Sequence, residues 1–364
     1  MFYQQDVKWQ SKDISGCSLS AIMNEAGDKL SGVDIINSIA NLHDRGNGLG
    51  GGFAAYGIYP DYEDYYAFHL MFDNIGAKEC TEKLLEENFL VESEEQIHTR
   101  NIPAISDPPI LRRYFVSPKE ELKEEGDFVV SVVMDINSKV EGAYVISSGK
   151  NMGAFKAIGF PEDVGKFYRL DEYDAYTWIA HGRFPTNTPG WWGGAHPFTI
   201  LDWSVVHNGE ISSYGGNMRY LEMFGYKCTL RTDTEVMAYL FDLLLRKHKI
   251  PPKIACEVIA SPFWEDIDRM PEGKKELFKA IRMIYGSALV NGPFAIVLGY
   301  TGGMIGLSDR VKLRPLVAAR KKDMLYLSSE EAGIREVCEK PDTVWSPKAG
   351  EPVIGRLKNN GGTR

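Results

Sequence analysis

Short apolar runs, broken by Gly, Pro, Asn and Asp, recur along this chain, and stretches with helical spacing lie between them. CSLSAIMNEAG at 17–27 alternates and then turns, which predicts a strand entering a hairpin. Val33, Ile36, Ile39, Ala40 and Leu42 fall on one side of a helix over 33–43. Further helices are predicted over 78–90, 217–224, 233–248 and 272–288, with a short one at 331–338. Thr232 or Asp233 is suited to cap the start of 233–248. Strands are predicted near 53–59, 64–75, 127–135, 142–147, 175–181 and 199–206, then as a meander over 291–300, 302–309, 313–320 and 323–330. The stretch 103–118 is interrupted by Pro103, Pro108, Pro109 and Pro118. Many antiparallel strands with a few long helices predict an α+β layered fold. Residues 78–170 read as a compact inserted α/β subdomain, suited to a partner-facing or regulatory role.

Composition narrows the field of functions. A chain of 364 residues favours two domains or one elaborated domain, and 44% hydrophobic residues suffice for a core. A net charge of -9 argues against nucleic acid or an anionic membrane as the main partner. The start, MFYQQDVKWQSKDISG, lacks the apolar stretch of a secretory signal, and no window reaches the roughly 18 apolar residues of a membrane span. The cysteines at 17, 80, 228, 256 and 338 form no CxxC pair. A zinc site or disulfide framework is therefore not expected; a reducing, cytoplasmic setting is, in which a single cysteine is free to act as a nucleophile.

Five short motifs carry candidate chemistry, each with a plainer reading beside it. Gly46, Gly48 and Gly51 fit a dinucleotide-binding spacing, but a helix precedes them and a strand follows, the reverse of what pyrophosphate binding needs. A loop with close backbone approach is the better reading. HNGEI at 207–211 is either a simple turn or, if it faces a site, two donors from Asn208 and Gly209 that make an oxyanion hole. In HGRFPTNT at 181–188, Arg183 is either a surface residue or a clamp for a carboxylate. Asp233 in RTDTE either caps a helix or binds an ammonium group. Cys17 in ISGCSLSAI reads either as a small buried residue or, given its polar flanks, as something more.

The ordered set resembles a known family. HGRFPTNTPGWWGGAHPF, WSVVHNGEISSYGGNMRYLE, RTDTE, DRVKLRPL and YLSSEEAGI follow Cys17 and Arg45-Gly46 in the order seen in class II glutamine amidotransferases, a branch of the N-terminal-nucleophile hydrolases. The resemblance is strongest to the amidotransferase domain of glutamate synthase, and it covers roughly 17–75 and 175–340. It implies a four-layer αββα sandwich of two antiparallel sheets. It implies that Cys17 attacks the side-chain amide of L-glutamine, that Asn208 and Gly209 form the oxyanion hole, that Arg183 with Thr186 holds the α-carboxylate, and that Asp233 holds the α-ammonium. The amidotransferase domain would then comprise 17–77 and 171–345, after a leader at 1–16 and before a tail at 346–364. No cofactor is expected in this chain. FMN and iron-sulfur clusters are expected on a glutamate synthase FMN-binding partner subunit that receives the ammonia, and the chain itself is a candidate homo-oligomer.

This sequence departs from the family pattern twice. The family's nucleophilic cysteine is normally the first residue, and its own α-amine, with a pKa of about 8, serves as base. Here sixteen residues precede Cys17, so cleavage at Gly16–Cys17 is expected before activity. Ser18 stands where the family commonly has glycine, which brings a side chain close to the thiol. Two other readings stay open: an amidotransferase serving a different acceptor, and a non-catalytic glutamine-binding regulator in which the leader masks Cys17.

Overall fold

The computed structural model describes residues 16–184 and 190–358. Its centre is a pair of stacked antiparallel sheets. The strand Ser18–Asn24 lies in the middle of a seven-stranded sheet, between Thr177–Gly182 and Met324–Ser328. Trp203–Gly209 and Phe294–Tyr300 lie inside a five-stranded sheet that ends at Val353–Arg356.

Strand alternation sorts the side chains into layers. Leu19, Ala21, Met23 and Ile179 point from the first sheet toward Val206, Ala295, Val297 and Met304 of the second, and these residues form the dry seam between the sheets. Ile22, Phe53 and Trp178 face the other way, onto the helices Gly32–Ala40, Pro161–Phe167 and Glu331–Val337. The outer face of the second sheet, with Val205, Ile296, Leu298 and Ile305, packs beneath Asp233–Phe241, Pro252–Ile259 and Glu272–Ile284. The expected αββα order is therefore present. Helix Gly32–Ala40 illustrates how the outer layer is set. The Ser31 hydroxyl accepts from the Val33 amide at its start, and Ile35, Ile36 and Ile39 form its buried stripe. Gly32 lets that end press against the neighbouring backbone, since a Cβ there would lie 2.0 Å from the Leu170 carbonyl oxygen.

A third sheet of four strands runs Phe89–Gln96, Ile110–Pro118, Tyr66–Phe72, Ala143–Ser147. Its limits are not the expected 78–170. It takes in Tyr66–Phe72, while Met152–Ala157 forms the edge of the seven-stranded sheet against Gly51–Tyr56. The expected tail at 346–364 likewise supplies a sheet strand, Val353–Arg356. Residues 127–135 are helical, within Glu125–Lys139, and not a strand. DFVVSVVMD has β-branched residues on every side, so propensity favours a strand. Yet Val129, Val132, Val133 and Ile136 recur at helical spacing, and burial of that face decides the outcome.

Among the described residues no helix is long and apolar enough to cross a membrane. Ile179 is fully buried in the seam between the sheets. Ile179→Ala is expected to lower the unfolding free energy by about 2–4 kcal/mol in a denaturant titration, by cavity formation.

Candidate active site

Strand register brings the site together. Ser18 pairs with Gly182, so Cys17, just before one strand, meets Arg183 and Phe184, just after the other. The Phe184 amide donates to Cys17 Sγ at 3.3 Å. Arg45 anchors the approach: its carbonyl accepts from the Gly16 amide at 3.1 Å, and its Nε donates to the Cys17 carbonyl at 3.2 Å. In the stacked sheet, Asn208 and Gly209 close the strand Trp203–Gly209 at the same end of the sandwich. Asp233 opens the helix Asp233–Phe241, whose cap is the Thr232 hydroxyl, accepting from the Thr234 amide.

All five residues line one cavity of about 660 Å³, together with Trp191, His196, His207, Tyr214 and Arg314. Thr186, the remaining candidate, lies outside the described residues. Arg314 was missed as a site residue, although DRVKLRPL at 309–316 belongs to the ordered set of motifs; that stretch carries it to the cavity wall. The glycine-rich loop behaves as a loop: helix Gly32–Ala40 precedes it and strand Gly51–Tyr56 follows.

The two departures have structural answers. Ser18 lies on the helix side of its strand, opposite the face shared by Leu19 and Ala21. A Cβ on Gly182 would sit 2.5 Å from Ser18 Oγ, so the serine occupies room that a glycine across the strand pair leaves free. In the uncleaved chain the nitrogen of Cys17 belongs to the Gly16–Cys17 peptide, and its lone pair is delocalised into the amide.

The cavity's electrostatics follow from burial. Loss of water pushes the Cys17 thiol above its ordinary value, against the pull of the Phe184 amide and of Arg183 and Arg314. Burial also lowers the Arg183 guanidinium, which Cys17 and Asp233 oppose. For Asp233, burial pushes the carboxyl up, but His207 and the Ile211 amide, which donates to Oδ2 at 3.0 Å, outweigh it and hold it below the usual carboxylate range. Asn208 Nδ2 is buried with no hydrogen-bond acceptor among the described residues. Gly209 has φ +143°, and a Cβ there would fall 1.9 Å from the Pro293 carbonyl oxygen. A cysteine, an uncommitted amide donor, a cation and an anion thus share one pocket in a sandwich of the N-terminal-nucleophile hydrolase type.

Comparison with known proteins gives that class its family. Residues 103–346 match the model for glutamine amidotransferases class-II, and the chain belongs to this family. An uncharacterized protein of Archaeoglobus fulgidus is 54% identical over 355 residues, covering 96% of this chain and 94% of its own. A putative glutamine amidotransferase of Methanothermobacter thermautotrophicus is 26% identical, covering 89% of this chain and 94% of its own. The glutamate synthase [NADPH] large chain of Bacillus subtilis is 27% identical over 76% of this chain, but that match spans only 20% of the longer protein.

Gly209→Ala is expected to destabilise the protein by about 2 kcal/mol or more, measured by thermal or denaturant unfolding, because both the backbone angle and the Pro293 contact forbid a side chain. In the chain with residues 1–16 attached, the raised Cys17 pKa leaves less thiolate at a given pH. Alkylation of Cys17 by iodoacetamide, followed by peptide mass spectrometry, is therefore expected to be slower at pH 8 than for a free cysteine peptide, with its pH profile displaced upward.

Proposed function

We propose that this chain is a glutaminase that hydrolyses L-glutamine to glutamate and ammonia through a Cys17 thioester. The observation that carries the reading is the shared cavity of Cys17 Sγ and the uncommitted, buried Asn208 Nδ2, flanked by Arg183 and Asp233. A tetrahedral intermediate places negative charge on the former amide oxygen, and a pre-aimed donor in a water-poor pocket stabilises it. Arg183 suits the α-carboxylate of a free amino acid, and the ionised Asp233 suits its α-ammonium.

The steps balance as follows. Cys17 Sγ forms a bond to the side-chain carbonyl carbon, and the thiol proton passes to a base. The tetrahedral adduct expels the amide nitrogen, which takes up that proton and leaves as ammonia. Water then attacks the γ-glutamyl thioester, releasing glutamate and restoring the thiol. The base is the weak point of the uncleaved chain, because the raised thiol pKa demands one and the Gly16–Cys17 peptide nitrogen cannot serve. Cleavage at Gly16–Cys17 supplies an α-amine on the same residue.

The ammonia goes, in this reading, to a glutamate synthase partner subunit that carries FMN and iron-sulfur clusters. Similarity to one fifth of the Bacillus subtilis large chain supports that choice of acceptor. Co-purification with a flavoprotein from the native host supports it, and an acceptor without flavin overturns it.

The test of the glutaminase is direct. Protein beginning at Cys17, confirmed by mass spectrometry, is expected to release ammonia from glutamine and to be labelled at Cys17 by a thiol-directed glutamine analogue. Asn208→Ala is expected to lower kcat by about 10²–10³-fold. Full activity in protein that retains Met1 overturns the requirement for cleavage. No ammonia release from the processed chain overturns the glutaminase.

A further inference from the structure

At and just behind the cavity wall lies a group of buried side chains that the reaction above does not use: His181, His196, His207 and Thr234. Their hydrogen bonds constrain where the proton of His207 sits. His181 Nε2 lies 2.9 Å from the His207 carbonyl oxygen, which only accepts, so Nε2 carries the proton. Burial holds His181 at a pKa of about 3, so the ring is neutral and its Nδ1 is a lone pair. His196 Nδ1 lies 3.0 Å from that lone pair and 2.9 Å from the Nε2–H group, so it donates to the one or accepts from the other. Burial also drives the pKa of His196 well below its ordinary value, so this ring is neutral too. Its Nε2 lies 3.0 Å from the Thr234 hydroxyl oxygen, with the opposite role to its Nδ1.

That hydroxyl has a single proton. Whether it goes to His196 or to Asp233 Oδ1, 3.3 Å away, Thr234 Oγ1 is left as an acceptor for His207 Nδ1 at 3.2 Å. His207 must then carry its proton on Nδ1, 3.6 Å from Asp233 Oδ1. Its Nε2 is buried with no partner among the described residues, so a proton there would be an unpaired buried donor.

We propose that Thr234 is a positioning residue that fixes His207 as the Nδ1–H tautomer, so that this N–H group holds the Asp233 carboxylate ready for an ammonium group. The proposal rests on the reading of the cavity as a site for glutamine, and it identifies what makes that site selective for an α-amino acid. His181 Nε2 holds the carbonyl of His207 and Thr234 holds its ring, so both the backbone and the side chain of the residue that precedes Asn208 are fixed.

Thr234→Val keeps the shape of the side chain and removes the hydroxyl. In processed protein it is expected to raise KM for glutamine roughly tenfold, the scale of one lost hydrogen bond, with a much smaller effect on kcat. It is also expected to erode the preference for glutamine over the analogue lacking the α-amine. Thr234→Ser is expected to restore both. Long-range ¹H–¹⁵N spectra are expected to show His207 as Nδ1–H in the wild type and in Thr234→Ser, and a changed tautomer in Thr234→Val. An Nε2–H tautomer in the wild type overturns the proposal. So does a serine variant as impaired as the valine variant, or an unaltered preference in the valine variant. If processed wild-type protein turns over no glutamine, the glutaminase reading fails, while the tautomer spectra still decide this inference.

Discussion

The antiparallel register of Ser18 with Gly182 is the constraint on which the site depends. Side chains in a strand alternate between faces, so a slip of one residue would carry Cys17 from the sheet–sheet side to the helix side. Two packing features hold the register. Leu19, Ala21 and Met23 are buried against the second sheet, and Ser20 Oγ meets Ser38 Oγ of the covering helix at 2.6 Å. Neither face tolerates the exchange, since one is wholly apolar and the other has a hydroxyl waiting. Arg183 and Phe184 are then fixed by continuity of the partner strand, and the stacked sheet brings Asn208 and Gly209 to the same end.

Desolvation, which the sandwich imposes on that end, has opposite consequences for the groups it encloses. It weakens Cys17 as an acid and Arg183 as a cation, yet the dense hydrogen bonding around Asp233 keeps its carboxylate ionised. A pocket that sets the anion Asp233 beside the cations Arg183 and Arg314 is better matched to a zwitterion than to a simple amide, which carries no charge for either side. The same loss of water makes an orphan amide such as Asn208 Nδ2 costly to bury.

Much of this was legible in the sequence because the site residues sit at strand and helix ends, where turn chemistry stands out against apolar runs. HNGE, HGRF and RTDTE each interrupt such a run, and the structure brings Asn208, Arg183 and Asp233 to one cavity. Composition and periodicity alone reached only a layered α+β fold; the αββα order came with the ordered motifs. What stayed hidden depended on distant partners. The helix Glu125–Lys139 reads as a strand until its buried face is known. Ile110–Pro118 follows two prolines, which obscured a nine-residue strand. His181 and His196 were quoted within motifs but given no role, because their meaning lies in contacts with Thr234 and His207, up to 38 positions away in sequence.

The four-stranded sheet also changes what the inserted region is for. Its Phe68, Phe72 and Tyr114 and the helical Val129 and Val133 belong to one continuous core with Val236 and Leu240 of the helix that begins at Asp233. Farther along that element, the fully buried Asp242 accepts from Trp203 Nε1 at 2.9 Å and from Arg246 Nε at 2.7 Å, and Arg246 reaches across to Asp127 of the inserted helix at 2.7 Å. Removing one partner from a buried charge of this kind costs about 3–5 kcal/mol. A region that was a plausible separate module on sequence grounds therefore buttresses the helix whose first residue supplies the pocket's anion. Any partner that engages the exposed edge strand Phe89–Gln96 would act on a body that shares its core with the helix of Asp233.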